Sequence, residues 1–96
     1  MELSQKIETR VLRSADGRTL RLDYSLLSRT EGSGLQISGP YGLEIVLTDQ
    51  EGVCRVRCRN LTEDYRKAVR LIHVFASNRI LPPEMLDRLK RDRNAY

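Results

Sequence analysis

The hydrophobic pattern changes period near Asn60, and no other feature constrains the fold of this chain as much. Before Asn60 apolar and polar residues alternate, as in half-buried strands; after it apolar residues recur about every 3.6 positions, as in helices. Strands first and helices afterwards describe an α+β chain in which helices cover one face of an antiparallel sheet. The 96 residues hold one hydrophobic core, so we read residues 1–96 as a single domain. Its sheet spans about 3–60 and its helices about 62–78 and 83–91.

Turn chemistry divides the alternating part. Asp16-Gly17 supplies the positive φ angles of a two-residue hairpin loop. That loop would set Val11 across from Leu22, Thr9 from Tyr24 and Ile7 from Leu26, with the apolar members on one face. A turn within Asp49-Gln50-Glu51-Gly52 pairs Leu47 with Cys54, Ile45 with Val56 and Leu43 with Cys58. A further turn at Pro40-Tyr41-Gly42 would set Leu35 against Leu47 and Ile37 against Ile45, giving a five-stranded antiparallel meander. Thr30-Glu31-Gly32-Ser33-Gly34 reads as a mobile hairpin tip.

A long C-terminal helix follows, packed on one sheet face. Thr62 suits its N-cap, and Tyr65, Ala68, Val69, Leu71, Ile72, Phe75 and Ala76 form a wide apolar face. Arg66, Lys67, Arg70, His73 and Ser77 lie on the polar side, with Val74 an apolar residue among them. Asn78 closes this helix in the left-handed conformation, Leu81 is extended before Pro82-Pro83, and Pro83 opens a short final helix with Leu86, Leu89 and Met85 inward. Residues 92–96 read as a fraying tail.

The charge is uneven. Residues 1–48 carry six basic and six acidic side chains and residues 49–96 eleven and seven, so the net charge of +4 resides in the second half. Fourteen of the seventeen basic residues are arginine, which fits either guanidinium recognition of phosphate and carboxylate or a GC-rich genome. Arg55, Arg57 and Arg59 alternate with core residues, so all three project from the sheet face opposite the helix, where Arg10 and Arg21 join them. Such a patch can bind an acidic partner surface or a phosphate backbone. Alternatively Glu44 opposite Arg57, with Glu8 and Asp23 on the same face, neutralises it internally. That face has no aromatic residue to stack bases.

Chemistry-bearing motifs are sparse. Cys54 and Cys58, four residues apart on a strand, have α-carbons roughly 13 Å apart, too far for a disulfide, and read as small core residues. His73 is the sole histidine and reads as a solvated helix-surface residue. No nucleophile elbow, glycine-rich phosphate loop or metalloprotease signature is present, so neither catalysis nor a cofactor or metal is expected. No apolar run reaches membrane-spanning length and Met1 to Lys6 lacks a signal-peptide core, so the expected location is cytoplasmic and Asn60-Leu61-Thr62 is a chance glycosylation triplet.

Tyr41-Gly42-Leu43-Glu44-Ile45, together with the stretch from Ala68 to Leu89 bearing Leu71, Asn78, Leu81-Pro82-Pro83, Leu86 and Leu89, resembles a family of small uncharacterised clostridial proteins, a domain of unknown function. The likeness covers about the C-terminal 55 residues. A histidine expected after the proline of the last helix is replaced by Glu84-Met85. The resemblance implies a bacterial source and a fold, and no activity. The expected function is a noncatalytic binding or regulatory module. It would take a protein partner or a second copy of itself through its sheet edge or face. The alternatives are a nucleic-acid-associated protein using the arginines and a phage-encoded inhibitor of a bacterial defence enzyme.

Overall fold

A computed structural model describes residues 1–30 and 36–92, without the side chain of residue 92. Four antiparallel strands, β1 (Glu2–Arg13), β2 (Thr19–Thr30), β3 (Ile37–Asp49) and β4 (Gly52–Thr62), form a sheet in chain order. Two short helices, α1 (Tyr65–Ser77) and α2 (Met85–Asp92), follow, with a 3₁₀ turn at Pro82–Glu84 between them. The α+β class holds, but the expected five strands and long helix do not.

The fifth strand vanishes because the chain does not turn at Pro40-Tyr41-Gly42. β3 runs through those residues, and β2 pairs with it directly, Leu22 to Leu47 and Leu26 to Leu43. Leu27 pairs with Gly42 and Arg29 with Ser38, so the ladder is interrupted around Ser28, and Pro40 sits at that irregularity. A sheet tolerates proline there because no ladder hydrogen bond is demanded of its nitrogen. The Gly39–Pro40 peptide is cis. Gly42 is needed for close approach rather than for a turn: a Cβ there would collide with the Cys58 carbonyl of β4. Ile37 pairs with Thr30 instead of Ile45, while the expected partner Leu35, most of the proposed hairpin tip and the tail from residue 93 lie outside the described residues.

The first hairpin is one residue out of the expected register. Its loop has three residues, Ala15-Asp16-Gly17, closed by Ser14 N–H donating to the Arg18 carbonyl at 2.8 Å. Gly17 occupies the left-handed region with φ 86°, the residue that ends a three-residue hairpin loop. Leu12 therefore pairs with Leu20, Arg10 with Leu22 and Glu8 with Tyr24. A one-residue slip exchanges the faces, so Val11 points away from the helices and Arg10 points toward them. A bulge between Lys6 and Glu8 returns Ile7 to the core. The hairpin of β3 and β4 has the expected pairing, Leu47 with Cys54, Ile45 with Val56 and Leu43 with Cys58.

Asp64, not Thr62, caps α1: its Oδ1 accepts the N–H groups of Arg66 at 2.9 Å and Lys67 at 3.3 Å. Ala68, Leu71, Ile72, Phe75 and Ala76 are buried against Leu22, Tyr24, Leu26, Leu43 and Ile45. Arg79, with φ 49°, takes the left-handed position expected of Asn78, whose φ is −91°. Asn78 instead donates from Nδ2 to the Val74 carbonyl at 2.8 Å. Leu81 is extended as expected, but α2 buries Met85 and Leu89 and leaves Leu86 exposed. The buried Tyr24 hydroxyl donates to the Ile80 carbonyl at 2.9 Å, tying the segment after α1 to the middle of the sheet.

Strands of eleven to thirteen residues extend about 40 Å, while α1 with thirteen extends about 20 Å. α1 by itself is thus too short to span the sheet along its strands.

Candidate functional site

β4 carries the candidate residues. Its Arg55 pairs with Val46 and its Arg57 with Glu44, which places the guanidiniums of this row on the face opposite α1, because Ile45 and Val56 between them point into the core. Arg59 follows at the same two-residue spacing. The bulk of this row is matched by carboxylates. Glu44, its side chain 6% exposed, accepts a hydrogen bond from Arg57 Nε, lies 3.7 Å from Arg55 and accepts from Ser4 Oγ at 3.1 Å. Glu2 faces Arg59 in a fork of 2.7 and 3.1 Å and lies 4.0 Å from Arg57. The Arg59 hydrogen bond holds the Glu2 carboxyl below the usual carboxylate range, and the same contact raises the Arg59 guanidinium.

Arg21 shares this face through its pairing with Thr48 and Val11. It lies 3.3 Å from Asp23, which also meets Lys6 at 3.6 Å and accepts from Thr9 Oγ1 at 2.7 Å. Burial alone would push the Asp23 carboxyl up, but the Thr9 hydrogen bond and the charges of Arg21 and Lys6 outweigh it and lower it.

Arg10 does not join the patch. The one-residue register difference turns it to the helix side, where it meets Glu8 at 2.8 Å. Glu8 moves with it and accepts from His73 Nδ1 of α1 at 2.5 Å; that hydrogen bond, joined by Arg10, lowers its carboxyl below the ordinary range. His73 is exposed as expected, yet it has a carboxylate partner. Sequence reading did not name Glu2, Ser4 and Lys6 as members of the open-face network, although strict alternation from Ile7 places them there; in the structure the bulge at Ile7 restores that phase after the one-residue slip of the hairpin.

Between the charges the open face is apolar at one end, where Val11 and Val53 are 65% and 64% exposed. Cys54, expected in the core, is exposed, and Cys58 is half-buried. Among the described residues no group of three or more His, Cys, Asp or Glu side chains is placed to hold a metal ion, and no helix is long and apolar enough to cross a membrane.

One family model matches residues 4–89. The chain belongs to the family of unknown function DUF6514. The match spans nearly the whole described sheet, α1 and the first part of α2, and so reaches well beyond the C-terminal stretch that carries the sequence resemblance. No curated protein and no solved structure matches the chain.

Proposed function

We propose that this chain is a noncatalytic, cytosolic bacterial module of clostridial type that binds another protein through its exposed sheet, with β4 as the edge that receives the partner. The observation that carries this reading is the openness of the sheet. β4 is terminal in the strand order and keeps one uninterrupted register with β3 from Gly52 to Cys58. A regular edge strand presents backbone N–H and C=O groups that an added strand can pair. β1, the other edge, is interrupted by its bulge, which twists an edge and disfavours strand addition. Arg55, Arg57 and Arg59 stand beside the β4 edge, and a partner with acidic side chains would compete for the same guanidiniums that Glu2 and Glu44 occupy.

The nucleic-acid reading is weaker because these arginines already have carboxylate partners, so less counterion release is available to drive phosphate binding. Capture of partners from host lysate, with and without nuclease and at low and high salt, tests the choice. A protein retained under all four conditions, together with slowed hydrogen exchange of β4 amides in its complex, supports the proposal. Loss of every partner on nuclease treatment rejects it in favour of nucleic acid, and a complex that leaves β4 exchange unchanged rejects the edge-strand mode.

A further inference from the structure

The outward side of α1 is a second surface, independent of the sheet edge. Tyr65, Val69, His73 and Ser77 form one row along the helix and Arg66, Arg70, Val74 and Asn78 the next, each spaced by four residues, and a groove of about 520 Å³ runs along them. Rows of this spacing are the ridges between which a second helix seats its own side chains. The floor is predominantly apolar: Tyr65 is exposed, and Val69 and Val74 are part-exposed. Its rim is cationic. α1 contains no Asp or Glu, and Arg66, Lys67 and Arg70 make no ion pair or side-chain hydrogen bond among the described residues.

Nothing in the folding of the helix accounts for these cations. Arg66 and Lys67 lie in the first turn, where the helix dipole disfavours positive charge, and Arg66 and Arg70 form a like-charged pair at a spacing of four. We propose that this groove docks an acidic amphipathic helix of another protein, whose apolar ridge seats on Tyr65, Val69 and Val74 while its carboxylates meet Arg66, Lys67 and Arg70. A second copy of this chain is a poor occupant through the same face, because it would set three cations against three. A phosphate backbone would satisfy the rim and leave the apolar floor without a partner.

The probe is a synthetic helix about five turns long, with leucine along one face and glutamate along its flanks, titrated against the full chain by fluorescence anisotropy with amide shifts mapped by NMR. Expected is saturable binding with shifts concentrated in α1 and none along β4, which separates this proposal from the sheet-edge reading. Arg66→Glu/Lys67→Glu/Arg70→Glu should weaken the acidic probe at least roughly tenfold and should bind the same helix with lysine in place of glutamate, a rescue that damage to the fold cannot produce. Val69→Ser/Val74→Ser, with retained folding checked by circular dichroism, should weaken both combinations. No binding of the acidic probe at ~1 mM overturns the proposal. So does equal binding of the lysine helix by the unmodified chain, or displacement of the acidic probe by duplex DNA at equal charge. Self-association through α1 in sedimentation, abolished by Arg66→Glu, assigns the groove to a second copy and likewise overturns it.

Discussion

The three arginines of β4 and the basic residues of α1 look alike in sequence and stand in opposite electrostatic circumstances. Arg55, Arg57 and Arg59 meet Glu44 and Glu2, one of them buried, on a sheet face where neighbouring strands bring opposite charges into line. Arg66, Lys67 and Arg70 stand on a helix whose other residues include no carboxylate. Antiparallel pairing supplies each strand residue with neighbours from distant sequence, whereas on the outward side of α1, among the described residues, only His73 and Tyr65 reach such neighbours through a hydrogen bond or ring contact, with Glu8 and Tyr41, and Arg66, Lys67 and Arg70 do not. Arginine density alone therefore does not identify a binding surface; the placement of the carboxylates does.

The largest expected effect tests whether the β4 charges are structural. Glu44→Ala removes a buried carboxylate from beneath Arg55 and Arg57 and leaves Ser4 without its acceptor; because both guanidiniums are part-exposed, the expected loss is about 2–3 kcal/mol in urea denaturation, below the full cost of breaking a buried pair. Replacing Arg55, Arg57 and Arg59 together with serine should cost a similar amount by stranding Glu44. The matching triple serine variant of Arg66, Lys67 and Arg70 should stay within about 0.5 kcal/mol of the parent. Equal losses from the two triple variants would erase the distinction.

A smaller effect concerns Tyr24, on the covered face between these two regions. Tyr24→Phe deletes the hydrogen bond to the Ile80 carbonyl and should cost about 1 kcal/mol. Burial pushes the Tyr24 hydroxyl from 10.0 up to about 12, so its neutral form is favoured in the folded chain. That contribution is complete below pH 10.0 and is lost as pH rises toward 12. The alkaline unfolding limb, followed by circular dichroism, should flatten in the phenylalanine variant.

His73 is where the contrast is bridged, since it is the basic group of α1 that reaches a carboxylate. Glu8 is lowered below its ordinary value of 4.5, so the stability it contributes is present above pH 4.5 and lost as pH falls through its folded value. Glu8→Gln should therefore reduce the stability difference between pH 6 and pH 3, measured by urea midpoints at both pH values. A pH dependence unchanged in that variant would remove Glu8 from the account.

The smallest effect has the opposite sign. Arg66→Glu places an acid in the first turn of α1 and creates an i,i+4 pair with Arg70, so it should stabilise the chain by about 0.5 kcal/mol. A stabler variant that no longer binds the acidic helix probe would separate the role of Arg66 in docking from any role in folding.

Much of this architecture is local enough to be read from residues. The switch from strand to helix near Asn60, the pairing of Ile45 with Val56, the buried stripe of α1 and the extended Leu81 before two prolines follow from periodicity and backbone sterics, as does the projection of Arg55, Arg57 and Arg59 from one face. Other features depended on contacts between distant segments. Whether Pro40 turns the chain or sits in a bulge depends on β2 lying alongside to pair with both ends of β3. Whether Asp16-Gly17 closes a two- or three-residue loop depends on how the whole of β1, bulge included, pairs with β2, and that pairing sent Arg10 and Glu8 to the helix side. Sequence by itself determined the α+β class, most of the buried face of α1 and the direction of the β4 arginines, because these rest on backbone periodicity; it misplaced Tyr65 and Leu86, which are exposed. Only the tertiary structure decided the strand count, the register of β1 with β2 and of β2 with β3, and the partners of Arg59 and His73, because Glu2 and Glu8, 57 and 65 residues away, become their neighbours only when the chain has folded.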